Sequence, residues 1–202
     1  MQQSFVQTLC NITVAGQAYN TFTTAKSMLG SATATAASAG VIKIPAGFFQ
    51  IGTALRIDFH AGVSSASGQT WTFQVMLGPT SGIIVFTSAA IKVTTTTGTN
   101  EQWIGQIDLT CRSIGSGTLA TLMGGGYVEG RTVCPAGATA GANYTAGMGG
   151  ASMVEAAPAV GTGFDSTVDN ILDFFVASGT SAAGNQFTMQ QYRVTSFNVA
   201  GF

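Results

Sequence analysis

The hydrophobic positions of this chain alternate. Leu55, Ile57 and Phe59 are separated by Arg56, Asp58 and His60. Trp71, Phe73, Val75 and Leu77 are separated by Thr72, Gln74 and Met76. Trp103, Gly105, Ile107, Leu109 and Cys111 alternate with Gln106, Asp108 and Thr110, and Ile104 is the one apolar residue on the polar phase. A period of two marks a strand with one buried and one wet face. Further along, Phe187, Met189, Tyr192, Val194 and Phe197 alternate with a change of phase in the middle, as a β-bulge requires.

Gly/Ser/Thr/Asn clusters at 64–68, 94–100, 113–117 and 177–184 punctuate these runs. Glycine and asparagine accept positive φ, and serine and asparagine bond locally, so such clusters mark turns. The pattern predicts strands at 41–44, 47–51, 53–63, 69–77, 82–88, 101–112, 117–128, 168–177 and 185–199, with 5–14 as a further candidate. No segment carries a helical stripe. Many strands with no intervening helices predict an all-β fold, an antiparallel β-sandwich of jelly-roll-like type. Trp71 and Trp103 fall on inward phases, and Phe164 follows a Gly-Thr-Gly turn as an anchor, so all three are expected in the core.

Two segments depart from the pattern. Residues 15–40 run through Thr, Ala and Ser with few large side chains, and 130–163 is similarly rich in Gly and Ala. The expected organisation is an N-terminal arm over 1–40, then a single sandwich domain over 41–202 with a long insertion at 130–163. Tyr19, Phe22, Tyr144, Met148 and Phe202 lie in arm-like, inserted or terminal stretches. Large apolar groups there need something to cover them, so these five are expected to be interface residues. Neighbouring copies are expected to meet along these two segments.

Composition narrows the function. The chain has 202 residues with 7 Lys/Arg and 8 Asp/Glu, so 7% are charged, against about a quarter in an average domain. Lys26, Lys43, Arg56, Lys92, Arg112, Arg131 and Arg193 are scattered singly. Nucleic-acid binding needs clustered cations, so no nucleic-acid partner is expected. No apolar run approaches the ~20 residues that span a bilayer, and the start lacks a basic, apolar leader. The expectation is a protein made in the cytoplasm and not inserted in a membrane. Cys10, Cys111 and Cys134 are expected to stay reduced, with a Cys111–Cys134 bridge as the alternative.

Catalytic chemistry finds no constellation. His60 is the only histidine. Asp58 points to the same side of its strand, so the two can pair, but no Gly-x-Ser-x-Gly elbow accompanies them. The expected role is a polar-face histidine with a nearby carboxylate. Asp165, Asp169 and Asp173 are spaced by four, which on a strand sets neighbours about 13 Å apart, too far for one ion. They are expected on a solvated strand face. Gly124-Gly125-Gly126 lacks the Lys-Ser/Thr of a phosphate loop and is expected at a bulge or a close backbone approach. No enzyme activity, metal or cofactor is expected.

Several stretches together carry a resemblance: Phe164 to Val168, Ile171 to Val176, Gly184 to Thr188, Val41 to Phe49, Ile51 to Asp58 and Ile107 to Gly117. Over residues 28–198 the chain resembles β-rich virion surface proteins of tailed bacteriophages, of the capsid-decoration or tail-fibre type. The resemblance implies a jelly-roll-like domain, often a homotrimer, located in the virion. Its partners would be its own copies and other virion proteins such as the major capsid protein. The expected function is therefore structural, most simply capsid decoration. The alternative is a tail or fibre-tip module that recognises a host surface glycan.

Overall fold

A computed structural model describes residues 4–29, 42–79, 82–94, 97–134, 149–152 and 160–199. Among these residues there is no helix. The strands in chain order are β1 (Ser4–Ile12), β2 (Ala18–Asn20), β3 (Lys26–Ser27), β4 (Ile42–Ile44), β5 (Ala54–Ser65), β6 (Thr70–Leu77), β7 (Ile83–Thr87), β8 (Ile91–Lys92), β9 (Gly98–Ser113), β10 (Thr121–Gly130), β11 (Gly149–Ser152), β12 (Asn170–Ser178) and β13 (Gln186–Val199). They form two antiparallel sheets. The larger has the order β1-β13-β5-β9-β10-β11, with β2 also on β13. The smaller has the order β3-β12-β6-β7, with β4 on β12 and β8 on β6.

The protein is an all-β antiparallel sandwich, as the alternation predicts. Burial along β6 alternates strictly, with Trp71, Phe73, Val75 and Leu77 inside. Leu55, Ile57 and Phe59 of β5 face them from the larger sheet, and Leu172, Phe174 and Val176 of β12 complete the inner layer. Phe73 and Phe174 stack with centroids 5.8 Å apart, and Phe59 lies 5.4 Å and 5.2 Å from them. Trp71 meets Trp103 edge-on at 6.5 Å and Phe187 at 5.7 Å. Both indole N–H groups find hydroxyls, Trp71 on Ser65 at 2.8 Å and Trp103 on Thr132 at 3.1 Å. A buried ring with a polar edge needs such a partner.

Gly105 sits opposite Phe59 in the β5–β9 register, and a Cβ there would collide with the Phe59 ring. The glycine on the inward phase of β9 thus makes room for the central ring of the core. Gly124 and Gly126 act similarly: a Cβ would strike Phe86 at the first and the Gln106 carbonyl at the second. They mark the close approach expected of them. The phase change in β13 is a register shift between Met189 and Gln191. Phe164 is fully buried and meets Phe49 at 5.1 Å.

Three expectations are corrected. The predicted strand at 47–51 is a pair of tight turns, because Gly47 (φ 73°) and Gly52 (φ 91°) take the left-handed conformation. Phe48 N–H donates to the Pro45 carbonyl, and Thr53 N–H to the Gln50 carbonyl. The predicted strand from 117 begins at Thr121, since Gly117 (φ 69°) also turns the chain. Within the expected arm over 1–40, β1 and β2 pair with β13 and β3 pairs with β12, so these stretches belong to the sandwich; 30–41 lie outside the described residues. The described ends of the 130–163 insertion likewise fold onto their own chain. β11 pairs with β10, and Thr132 and Cys134 exchange backbone bonds with the β8 region. Gly161 and Thr162 bridge Leu122 and Ile84, closing one side of the sandwich.

If the Phe59 ring depends on Gly105, then Gly105→Ala should lower unfolding free energy by about 1–3 kcal/mol in urea melts, through overpacking. Gly82→Ala meets nothing within 4 Å and should leave stability unchanged. Equal midpoints for the two variants would refute the packing account.

Candidate functional site

The outward phase of the larger sheet carries the polar side chains that the alternation left over. Asp58 on β5 faces Arg193 of β13 on one side and Gln106 of β9 on the other. Arg56 faces Asp108, and His60 faces Gln191. Arg56 holds Asp108 through two bonds, Nε to Oδ1 at 2.7 Å and Nη2 to Oδ2 at 3.3 Å. Gln106 Nε2 also donates to Asp108, at 2.7 Å. Arg193 donates to Asp58 Oδ2 from Nη2 at 2.8 Å and from Nε at 3.3 Å. The Arg56 guanidinium lies 5.3 Å from the centre of the Phe197 ring, a cation–π distance.

Around His60 this face sinks into a shallow trough. Asn11, Asp58, Tyr192 and Arg193 line one part of it. Gly62, Asn100, Gln102 and Gln190 line the adjoining part, and His60 and Gln191 belong to both. A Cβ at Gly62 would collide with the Asn100 amide, so glycine there lets the amides crowd together. Asp58 spends its carboxylate on Arg193, and His60 stays a polar-face histidine with that carboxylate nearby. Amides, an imidazole and neutralised charges suit hydrogen bonding to a neutral polar ligand. They do not present a nucleophile beside a base. Among the described residues no three of His, Cys, Asp and Glu converge to hold a metal ion.

The three aspartates spaced by four do separate jobs. Asp165 accepts from Gly117 N–H at 2.8 Å, Thr167 N–H at 2.8 Å and the Thr167 hydroxyl at 2.6 Å. These bonds, the Thr167 hydroxyl first, hold its carboxyl below the usual range. Asp169 accepts from Ala46 N–H at 2.9 Å. Asp173, expected on a solvated face, is instead 1% exposed. It accepts from the Ser27 hydroxyl at 2.7 Å and from Phe174 N–H at 2.8 Å. Burial outweighs both bonds and pushes its pKa up to about 6. The signal was in the sequence. Asp173 stands between Ile171-Leu172 and Phe174-Phe175-Val176, an apolar run without alternation, typical of a strand covered on both faces.

Tyr19 and Phe22, expected at an interface, are buried in their own domain. Tyr19 meets Phe22 edge-on at 6.1 Å, and Phe22 tilts onto Trp71 at 5.9 Å. A segment threaded across both sheets covers its large side chains with the core it reaches. Tyr144, Met148 and Phe202 lie outside the described residues. The exposed apolar side chains are others. Val6 (65% exposed), Ile12 and Val14 (77%) follow the β1 edge. Ile51, Ile114, Leu119 and Val168 stand on loops at one end of the sandwich. Those loops are tied together by Gly115 N–H to Ser166 Oγ at 2.9 Å and Gly47 N–H to the Ser166 carbonyl at 3.0 Å.

No family model matches this chain, and no curated protein matches it. Three solved structures superpose weakly. The structure of infectious bursal disease virus Gx strain shares 8% identity at a TM-score of 0.36, over 100% of this chain and 33% of that one. The CBM2 module of Lactobacillus casei BL23 phage J-1 evolved Dit shares 11% identity at 0.36, over 100% and 99% of the two chains. The Lotus tetragonolobus seed lectin shares 10% identity at 0.36, over 98% and 94%. At these scores the likenesses carry no argument about function.

Cys10 and Cys111 pack within the sandwich. Burial pushes the Cys111 thiol up, and it donates to the Ser113 carbonyl at 3.3 Å. Cys111 is a free thiol, so the alternative Cys111–Cys134 bridge does not form. Cys10 lies with its thiol 3.9 Å from the Tyr192 hydroxyl, and burial raises the pKa of that tyrosine.

Asp173 sets a pH dependence. Its folded pKa of about 6 lies above the ordinary 3.8, so the native state binds the proton more tightly than the unfolded chain. This contribution is present in full below the ordinary value and is lost as pH rises through about 6. Two pKa steps correspond to about 3 kcal/mol at most. Asp173→Asn should therefore flatten the acid-to-neutral fall in unfolding free energy and be the more stable protein at neutral pH. Parallel pH profiles for the two proteins would show that the carboxyl is not responsible.

Proposed function

We propose that this chain is a structural virion protein of a tailed bacteriophage, a capsid decoration protein of the head surface. It acts through contacts between its own copies and with the major capsid protein, and it is a component of the virion made in the host cytoplasm. The observation that carries this reading is the placement of exposed apolar side chains. Most of them follow one sheet edge or cluster on one tied end of a sandwich that has very few charges, with Tyr127 and Val160 elsewhere. Exposed apolar patches on a rigid body suit packing against other protein.

Two further features support it. The order β1-β13-β5-β9 over β3-β12-β6-β7 interleaves early and late strands, and we read this as the expected jelly-roll connectivity. The resemblance over 28–198 points to the same class of protein. The reading includes no reaction: Asp58, the carboxylate that lines the trough, is engaged by Arg193.

A second reading is favoured by the trough itself. Asn100, Gln102, Gln190 and Gln191 beside His60, with Tyr127 half exposed on the same sheet face, suit a neutral sugar. This would make the chain a tail or fibre-tip module for a host glycan.

Cosedimentation with capsids of the encoding phage separates the two. Saturable binding is expected, weakened at least about tenfold by Ile51→Lys combined with Leu119→Lys, the size of effect typical of a buried anchor pair. A protein that ignores capsids but binds a glycan array, with loss in Gln191→Ala, would replace the first reading by the second.

A further inference from the structure

We infer that β1 is an assembly strand: its free edge pairs antiparallel with β1 of a second copy, so that one sheet runs through both molecules. The inference rests on the subunit-contact reading above and names the contact.

A sheet edge is a row of unpaired backbone donors and acceptors, and natural proteins guard it with shortness, lysine, proline or a covering segment. The other edges here are guarded. On the smaller sheet β3 and β4 are 2 and 3 residues long and carry Lys26 and Lys43. The 5-residue β7 is bonded along its flank by Thr162, whose N–H donates to the Ile84 carbonyl at 3.2 Å. The outermost strand at the far side of the larger sheet, β11, has 4 residues.

β1 differs in length, in charge and in lacking a covering strand among the described residues, and its one guard is a β-bulge. It has 9 residues, about 30 Å of strand at ~3.4 Å each, and pairs with β13 from Ser4↔Val199 to Ile12↔Tyr192. Its other side meets no strand among the described residues. It holds no lysine and no proline, and residues 1–25 contain no charged side chain. Its single irregularity is the register shift between Thr8 and Cys10. Val6 sits beside Phe197 on the outward phase and is largely exposed.

The occupant follows from charge and symmetry. Antiparallel edges are self-complementary about a two-fold axis. Like charges opposite one another would oppose self-pairing, and β1 brings none. A charged foreign strand would find no counter-charge along it. The contact predicts even-numbered assemblies, in place of the trimer that the resemblance implies.

Sedimentation velocity of the full chain across a concentration series tests this. The wild type should reach a dimer, or a multiple of it. Val6→Lys combined with Thr8→Lys should raise the dissociation constant at least about a hundredfold, as opposed like charges cost several kcal/mol. The same positions changed to Glu should fail alone and restore the dimer when mixed with the Lys variant. Hydrogen exchange on the unaltered protein gives a readout that needs no variant: amides of 4–12 should gain protection as concentration rises. An oligomer that persists in the Lys variant, or a trimer, overturns the β1 contact while leaving the subunit-contact reading standing. A wild-type chain that stays monomeric and also ignores capsids overturns both.

Discussion

Phe59, Phe73 and Phe174 meet between the two sheets at centroid separations of 5.2–5.8 Å, one ring from the larger sheet and two from the smaller. The rest of the molecule is arranged around that contact. Gly105 gives up its side chain so that Phe59 can lie flat against β9. Trp71 extends the layer to Trp103, Phe187 and Phe22, so the early threaded segment is anchored by the same aromatic cluster. Each ring removes a large apolar area from water, at roughly 25 cal/mol per Å², and the rigid rings hold the sheets at a set distance. Among the described residues few ion pairs add to this, and surface pairs contribute little in any case.

Because the core is supplied by inward phases, the outward phases are free to differ between surfaces. The larger sheet spends its charges there: Arg56, Asp58, Asp108 and Arg193 neutralise one another across three strands. What remains is a hydrogen-bonding trough without net charge. At the β1 edge Val6 and Ile12 are exposed among uncharged polar neighbours, and at the loop end Ile51, Ile114, Leu119 and Val168 are exposed beside Asp165 and Asp169. One sandwich thus offers two kinds of surface, a polar face and margins with exposed apolar side chains. This division underlies both functional readings, since a sugar would use the face and another subunit the margins.

The core and the sandwich were legible in the residues because period two converts directly into inside and outside. Trp71 and Trp103 lie where alternation places them, Phe164 anchors the turn before it, and the bulge in β13 is visible as a slip in phase. The trough was half legible. Asp58 and His60 were placed on one face, but Arg193 lies 135 residues from Asp58 and arrives only through the β5–β13 register. Asp173 departs from the solvated face that its four-residue spacing predicts, because β12 is buried on both faces around it.

What the sequence determined by itself is the identity of the strands, the face each buries, the turns where glycine accepts positive φ, and a surface poor in charge. These are local properties, set by side chains and their near neighbours. Which strands become edges is decided by long-range pairing alone. So Tyr19 and Phe22, in a stretch that looks like a loose arm, end in the core, because the segment that carries them crosses both sheets. Val6 and Val14, in the same stretch, end in water, because β13 accepts β1 on its outer side and no described strand follows it. The alternation of a strand says which face is dry. Only the assembled sheet says which strand is last.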